Sequence, residues 1–269
     1  MIMEDRNTFQ GEQVTEVQSR YTITEAQRQA VLQRMNRRGT RPMRVVWEST
    51  KSIAIAVLIF LITRAFLVEA FKIPSGSMER TLLVGDFLLV NKLVYGAEVP
   101  VLGWSLPAIR EPRRGDVIVF KYPHDPSKFY VKRLIGVPGD TVAMLDGVMH
   151  LNGEPQAEDY VIHSDPGADP ASDAFRWQRD YLVRSAQAAP VTYRPSRDNW
   201  GPMVVPDDNY FVLGDNRDNS QDSRWFGWVP DSLVRGQPLL VYYSFAPDSP
   251  DLHPWPTRIR WSRIGSVIR

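Results

Sequence analysis

Hydrophobic residues form one long uninterrupted run in the first quarter of the chain and many short runs after it. Residues 1–46, which come before the long run, are polar. The stretch from Thr24 to Met35 has the pattern of a short amphipathic helix, with Thr24 at its N-cap and Gly39 just past its end. We nevertheless interpret this stretch as a loosely ordered arm, within a cytoplasmic basic arm that comprises residues 1–50.

The long run, Ile53–Ile62, contains ten apolar residues. Extended to Phe71, it reaches the roughly 20 residues that a membrane-spanning helix needs, and we predict a transmembrane helix over residues 51–71. Arg64 would lie inside this span, where a charge costs about 3 kcal/mol. A buried helix and a cleavable signal peptide are the alternatives. The second is disfavoured because about 50 residues precede the run.

Basic residues crowd the N-terminal side of this segment. Between Gln33 and Ser52 there are six Arg or Lys residues and one acidic residue, Glu48. The segment Lys72–Lys92 is more balanced, with three basic and two acidic residues. The positive-inside rule therefore predicts a cytoplasmic N-terminus and places everything after Phe71 outside the cell membrane.

Short β-rich runs bounded by turn residues dominate the rest of the chain. The runs are Phe87–Val90, Asp116–Tyr122, Tyr130–Val137, Thr141–Met144 and Tyr210–Leu213. Asp146-Gly147 separates two short apolar runs and predicts a β-hairpin. Residues 154–208 are richer in Asp, Pro, Ser and Ala, which suggests a loop-rich insertion. The pattern predicts an all-β domain preceded by a helix.

Composition narrows the function classes. The chain has 269 residues with 32 basic and 31 acidic side chains, and this balance gives no sign of a nucleic-acid partner. It contains no cysteine, which excludes disulfides, thiolate catalysis and cysteine-ligated metals. The four histidines lie in polar or proline-flanked loops without an H-E-x-x-H pairing, so we predict no metal site and no cofactor. A Ser-His-Asp triad stays open, although no G-x-S-x-G motif supports it.

Three polar segments are candidates for chemistry. The first, Pro74–Met78, is a tight Ser-Gly-Ser turn; such a turn is usually only a turn, but this one follows the predicted span directly. The second is Lys132, which lies within an apolar strand and shares a face with Tyr130 and Leu134. This lysine is either snorkelling at a sheet edge or buried with a lowered pKa, and only the buried form is a usable general base.

The third segment, Gly214–Arg224, reads GDNRDNSQDSR and follows a predicted strand. A solvated loop or a calcium loop is the simple alternative, but the spacing of its aspartates does not match an EF-hand. The aromatic residues that follow suggest that the loop folds back onto a core. Asp222 and Arg224 would then pair and brace a site.

These blocks, in this order, closely resemble the bacterial type I signal peptidases. The resemblance is carried by IPSGSM, RRGDVIVFKYP, YVKRLIGVPGD and GDNRDNSQDSRWFG, and with the predicted span it covers about three-quarters of the chain. It implies an antiparallel β catalytic core from residues 72–140 and 209–269, with a smaller β subdomain inserted at 141–208. It also implies a serine endopeptidase of the bacterial inner membrane, with its catalytic domain on the periplasmic face. Its partners would be preproteins with signal peptides, the lipid bilayer and a nearby secretion translocon.

The resemblance also implies roles for individual residues. Ser77 would be the nucleophile, Lys132 the general base and Ser75 an oxyanion donor. Ser220 would hold Lys132 in place. Arg133, Asp215, Asp222 and Arg224 would support the site. Substrates would be cut after small residues at −1 and −3, and the pockets for these residues would be lined by Phe71, Ile73, Met78, Tyr130 and Val131.

Arg80 departs from the family pattern, which commonly has proline there, and this puts the rigidity of the turn in doubt. Two other functions stay open. One is a Ser-Lys peptidase of the kind that cleaves SOS repressors, which the span and the GDNRDNS block disfavour. The other is a non-catalytic, membrane-tethered module that binds signal peptides. We also hypothesise that apolar surface around the mouth of the site, with Trp104, Phe129 and the aromatics of 225–228, dips into lipid. A place in the core is the alternative, above all for Trp225 and Phe226.

Overall fold

The computed structural model describes residues 24–39, 42–62, 68–96, 107–165, 167, 169–183, 193–247 and 258–269. The chain divides into two units, Met1–Phe60 and Leu61–Arg269. Helix α1 spans Glu25–Gly39 and helix α2 spans Pro42–Ile62.

The loose order predicted for the stretch from Thr24 to Met35 is wrong, because helix α1 occupies it. The alternative helix is present, and its start is capped as the pattern suggested. The backbone N–H of Thr24 donates to the Gln27 side chain at 3.2 Å, and the Arg28 N–H donates to the Thr24 carbonyl at 2.9 Å. This satisfies backbone groups at the helix start, and the Ala, Gln and Arg residues that follow are strong helix formers.

The segment predicted as a span from 51 to 71 falls into different elements. Residues 51–62 belong to α2, Arg64 lies outside the described residues, and residues 68–71 belong to strand β1, Val68–Lys72. The predicted C-terminal end of the helix is therefore wrong, because β1 pairs along its whole length with strand β2, Asp86–Asn91. Across the described ranges, no helix is both long enough and apolar enough to cross a membrane.

The larger sheet of the second unit has seven strands in the order β1-β2-β11-β3-β4-β9-β10, and the named pairs are antiparallel. Its remaining strands are β3 (Val117–Tyr122), β4 (Asp125–Gly136), β9 (Asn209–Leu213), β10 (Val229–Pro230) and β11 (Val234–Ser244). Every strand predicted from the sequence for this sheet is present, with ends that differ by a few residues at most, except that β4 begins five residues earlier. The prediction of a mainly β fold is confirmed.

The smaller sheet has four strands in the order β7-β6-β5-β8, again antiparallel. They are β5 (Thr141–Leu145), β6 (Val148–Leu151), β7 (Glu154–Pro155) and β8 (Trp200–Val204). The predicted hairpin at Asp146-Gly147 is confirmed. Both residues have positive φ, 50° and 77°, as a two-residue turn between twisted strands requires.

Three buried clusters fix these layers. The first joins the two sheets, because Val142 and Met203 of the small sheet pack with Ile135 and Phe211 of the large one. The second lies under β1, β2 and β11, and the third packs Phe226 against strands β3, β4 and β9. Strand β4 alternates between the last two clusters: Val131 contacts the second, whereas Tyr130 and Leu134 contact the third. The face that the sequence assigned to Tyr130 and Leu134 is therefore confirmed.

Candidate active site

A short 3₁₀ turn, Gly76–Met78, presents the candidate nucleophile, Ser77. The turn is held by its hydrophobic neighbours, because Met78, Ile73 and Leu82 are buried in the second cluster. The Leu82 N–H also donates to the Met78 carbonyl at 2.7 Å. The turn is therefore anchored on both sides, while Ser77 itself is 8% exposed.

Lys132 of β4 meets this turn. Its Nζ lies 2.5 Å from Ser77 Oγ, and its side chain is 4% exposed. Burial lowers the pKa of Lys132 from 10.5 to about 8; Asp222 opposes this shift and Arg224 reinforces it. At a pKa of about 8, about one lysine in ten is neutral at pH 7, compared with about one in 2,500 for a free lysine. Of the two alternatives left by the sequence, the structure therefore has the buried lysine rather than the snorkelling one.

The loop from Gly214 to Arg224 packs directly behind Ser77. The Asn216 N–H donates to the Ser77 carbonyl at 3.1 Å. A Cβ on Gly214 would lie only 2.5 Å from that same carbonyl oxygen and 2.2 Å from Ser220 Oγ. Only glycine therefore allows the two backbones to approach this closely.

Asp222 and Arg224 form the ion pair that the sequence suggested. Two Arg224 nitrogens, Nε and Nη2, each donate to a carboxylate oxygen of Asp222 at 2.8 Å, and both side chains are fully buried. Asp222 also accepts the Gly214 N–H at 3.1 Å. Burial alone would raise the pKa of Asp222, but Arg224 and these hydrogen bonds hold it below its usual range. The pair thus keeps a negative charge in the neighbourhood of Lys132.

The role predicted for Ser220, to hold Lys132 in place, stays a prediction. Ser220 is 8% exposed, and its hydroxyl makes no hydrogen bond within the described ranges. The Lys132 amine contacts Ser77, and the Ser220 hydroxyl lies against Gly214, where an added Cβ would be 2.2 Å from its Oγ.

A second buried ion pair lies next to Lys132 along β4. The Arg133 guanidinium binds Asp215 with both Nε and Nη2, at 2.8 and 2.7 Å. Thr81 Oγ1 donates to the same carboxylate at 2.5 Å, which connects the pair to the segment after the nucleophile turn. The sequence reasoning gave Arg133 and Asp215 a supporting role, and the structure places them between β4, the turn and the loop.

A cleft of about 390 Å³ opens onto Ser77 and Lys132. All five residues predicted to line substrate pockets line it, and so does Ser75: the five are Phe71, Ile73, Met78, Tyr130 and Val131. Its other lining residues are Lys72, Pro74, Phe129, Asn219 and Gln221. The cleft is therefore bounded by β1 and the nucleophile turn, by β4, and by the Gly214–Arg224 loop.

A profile of the family described as signal peptidase, peptidase S26, matches residues 46–243, more than half of the chain. The signal peptidase I of Pseudomonas aeruginosa is 39% identical over 252 residues, covering 88% of this chain and 83% of its own. That of Aquifex aeolicus is 34% identical, covering 70% and 80%. The chain belongs to the signal peptidase family. A crystal structure of a signal peptidase I from Enterococcus faecalis is 32% identical and covers 48% of this chain and 98% of its own, with a TM-score of 0.33.

Arg80, where the resemblance led us to expect proline, adopts φ = 81°. Proline is restricted to φ near −65°, so it could not adopt this backbone. The Arg80 side chain makes one long hydrogen bond here, from Nη1 to the Val161 carbonyl at 3.4 Å.

The sequence reasoning missed several residues that build the site. Gly214 and Asn216 shape the nucleophile's environment through backbone atoms, which carry no sequence signature. Phe129 and Gln221 also line the cleft. The only sign of this in the sequence is that Phe129 directly precedes the block YVK and Gln221 directly follows Ser220. Of the aromatics hypothesised to dip into lipid, Phe129 and Trp225 are 40% and 42% exposed, whereas Phe226 is buried in the core. The lipid contact itself stays a hypothesis. Trp104 lies outside the described residues.

Proposed function

We propose that this chain is a serine endopeptidase that removes N-terminal signal peptides from exported preproteins with a Ser77/Lys132 pair. One observation carries the proposal: a lysine buried enough to lower its pKa to about 8 lies 2.5 Å from a serine hydroxyl at the floor of a cleft. A buried lysine and serine in contact are the two parts of a nucleophile activated by a general base.

In the first half of the reaction, neutral Lys132 takes the Ser77 hydroxyl proton as Oγ bonds to the scissile carbonyl carbon. The developing oxyanion accepts hydrogen bonds from the Ser77 backbone N–H and the Ser75 hydroxyl. The C–N bond then breaks, the proton passes from Lys132 to the leaving amine, and the signal peptide stays on Ser77 as an ester. In the second half, a water molecule gives a proton to Lys132 as its oxygen bonds to the ester carbon. The ester bond to Ser77 Oγ then breaks, Lys132 returns the proton to Oγ, and the signal peptide leaves as its carboxylate.

The substrate binds as an extended strand along Lys72–Ser75, which forms one wall of the cleft, and Phe71, Ile73, Met78, Tyr130 and Val131 contact its side chains. Small residues at −1 and −3 suit this cleft, because the floor beside Ser77 is already occupied by Met78 and Lys132. Asp222 and Arg224 hold the loop behind Ser77, and Arg133 with Asp215 fixes the strand that carries Lys132. Ser220 contributes through packing on Gly214.

Membrane association is part of the same proposal. Every residue from Ile53 to Phe60 is exposed in helix α2, and an apolar surface of this extent needs lipid or another apolar surface to cover it. We place the N-terminus in the cytoplasm and the peptidase on the outer face of the plasma membrane, near the translocon that delivers preproteins. Fractionation with alkaline carbonate and protease accessibility in spheroplasts test this, and release of the protein into the soluble fraction would contradict it.

The deciding experiment incubates the purified protein with a secretory precursor. The wild type should release the mature protein, whereas Ser77→Ala and Lys132→Ala should leave the precursor intact and remain folded by circular dichroism. Full activity of Lys132→Ala at neutral pH would refute the mechanism. Precursor binding by the wild type without cleavage would instead support the non-catalytic module.

A further inference from the structure

The segment between β7 and the 3₁₀ turn Asp173–Tyr181 is attached to the back of the Gly214–Arg224 loop. The Ile162 N–H donates to the Asp215 carbonyl at 2.9 Å, and the Arg217 N–H returns a hydrogen bond to the Ile162 carbonyl at 3.0 Å. These two bonds form an isolated parallel bridge between Ile162 and Asn216. Ser164 adds a side-chain hydrogen bond to Asn216 at 2.9 Å. The loop behind Ser77 is thus paired on its other side with a segment to which neither the sequence nor the proposed reaction gave a role.

A buried ion pair fixes this contact. Arg217 is 1% exposed, and its Nη2 lies 2.7 Å from Glu158 Oε1. Among the described residues, Glu158 is the one carboxylate paired with this guanidinium, and Arg217 Nη1 is buried without a partner. A buried cation with a single counter-ion depends heavily on it, because loss of that ion leaves a charge in a medium that cannot solvate it.

The same arginine reaches the site through two short steps. Arg217 Nε donates to the Gly214 carbonyl at 3.2 Å, and the Arg217 carbonyl accepts a hydrogen bond from Arg224 Nη2 at 2.7 Å. Gly214 is the residue that packs on the Ser77 carbonyl, and Arg224 is the partner of Asp222. A displacement of Arg217 would therefore move both supports of the nucleophile.

Glu158 also acts, through Tyr160, on the Arg133–Asp215 ion pair next to Lys132. Its Oε1 also accepts a hydrogen bond from the Tyr160 hydroxyl at 2.7 Å. The Arg133 guanidinium stacks on the Tyr160 ring with 3.9 Å between Cζ and the ring centroid. Arg133 follows Lys132 in β4 and is bound by Asp215. One carboxylate oxygen thus connects the loop behind Ser77 with the strand that carries the candidate base.

From these contacts we propose that Glu158 is a positioning residue, which holds Arg217 and Tyr160 and through them fixes the distance between Ser77 and Lys132. The kinetic consequence of this proposal rests on the proposed peptidase function. Its structural consequence, the fixed distance between Ser77 and Lys132, does not. It assigns to the segment 158–165 the task of coupling the smaller sheet to the reaction. Glu158 does not touch the substrate.

The test compares Glu158→Gln with Asp173→Asn in the full chain. Asp173 forms an exposed ion pair with Arg176 in the same region, so its substitution removes an ion pair that has no connection to the site. We expect Glu158→Gln to lower kcat at least tenfold with KM within twofold. In a plot of kcat/KM against pH, we also expect the rising part of the curve to move to higher pH in this variant. The reason is that water that enters around Lys132 favours its charged ammonium form. Asp173→Asn should match the wild type in every measurement.

Hydrogen exchange gives a readout that does not require activity. In Glu158→Gln, peptides covering residues 76–82 and 214–222 should exchange faster, because the Asn216 N–H loses its fixed position against the Ser77 carbonyl. Equal exchange and an unshifted rise of kcat/KM with pH in folded Glu158→Gln would overturn the proposal. A wild type that cleaves no precursor would remove the peptidase function, yet the exchange comparison would still decide the positioning role.

If Glu158→Gln does not fold, the double variant Glu158→Leu/Arg217→Met decides the question. It removes both charges while it keeps apolar volume, which generally restores stability. We expect it to fold and still to show the lower kcat and the faster exchange. A double variant with normal kinetics, or one that also fails to fold, would assign the pair a purely structural role and overturn the proposal.

Discussion

Replacement of Gly214 by alanine would place a methyl group where the Gly214–Arg224 loop meets the nucleophile turn. The new Cβ would lie 2.5 Å from the Ser77 carbonyl oxygen and 2.2 Å from Ser220 Oγ. Non-bonded heavy atoms of this kind are comfortable at about 3.5 Å, so the turn or the loop has to retreat by about 1 Å. Such a movement would break the Asn216 hydrogen bond to Ser77 and lengthen the contact between Ser77 and Lys132.

The expected effect on activity is larger than the effect on stability. Overpacking of a well-packed interior costs about 1–3 kcal/mol, so the melting temperature should fall by several degrees without loss of the fold. A misplacement of about 1 Å at the reacting atoms can lower the rate about 100-fold, and we expect a loss of this size in kcat/KM for precursor cleavage.

Cleavage of a fluorogenic precursor peptide and thermal unfolding by circular dichroism measure the two effects. Gly167→Ala is a suitable control, because the nearest atom to its new Cβ is a flexible carboxylate oxygen of Asp165, 3.1 Å away. Activity of Gly214→Ala within threefold of the wild type, at unchanged stability, would refute the argument that the close approach of these backbones sets the geometry of the site.

Four further predictions follow from charges and backbone angles. Because only neutral Lys132 is a base, kcat/KM should rise about tenfold per pH unit below its pKa of about 8 and level off above it; a flat profile from about pH 6 to 9 would contradict this. The lowered pKa means that the folded state binds fewer protons than the unfolded state, so stability rises with pH from about 8 to 10.5. Lys132→Met should therefore abolish cleavage yet stabilise the protein at pH 7 by about 3 kcal/mol, a gain that shrinks towards pH 10.5 in denaturant unfolding. Asp222→Asn should destabilise the protein by about 3–5 kcal/mol, since it leaves Arg224 buried and unpaired. It should also move the rising part of the kcat/KM profile to lower pH, because a negative charge near Lys132 is lost. A shift to higher pH would show that this charge does not act on Lys132. Arg80→Pro should destabilise by about 1–3 kcal/mol, because proline cannot reach φ = 81°, whereas Arg80→Gly should be neutral or slightly stabilising; equal melting temperatures for the two variants would be inconsistent with the strained turn.

Local signals were sufficient to predict much of this protein. The strands were predictable because each has a period-two or continuous apolar run that ends at turn residues, and the hairpin at Asp146-Gly147 because only a few residue types tolerate positive φ. The roles of Ser77 and Lys132 came from the resemblance of their blocks to signal peptidases, because the turn and the lysine by themselves favour no catalytic role. The errors arose where two patterns compete: residues 68–71 continue an apolar run but pair as a strand, and residues 25–39 are polar but well capped.

Tertiary structure alone decided how these parts act together. Ser77 and Lys132 are 55 residues apart, and their contact exists because the turn and β4 are packed on shared clusters. The lowered pKa of Lys132 depends on burial, which is a property of everything around the residue rather than of its neighbours in sequence. The same holds for the orientation of the Ser220 hydroxyl, the need for glycine at 214 and the pairing of Glu158 with Arg217. Each depends on distances between distant segments, and local propensity does not encode such distances.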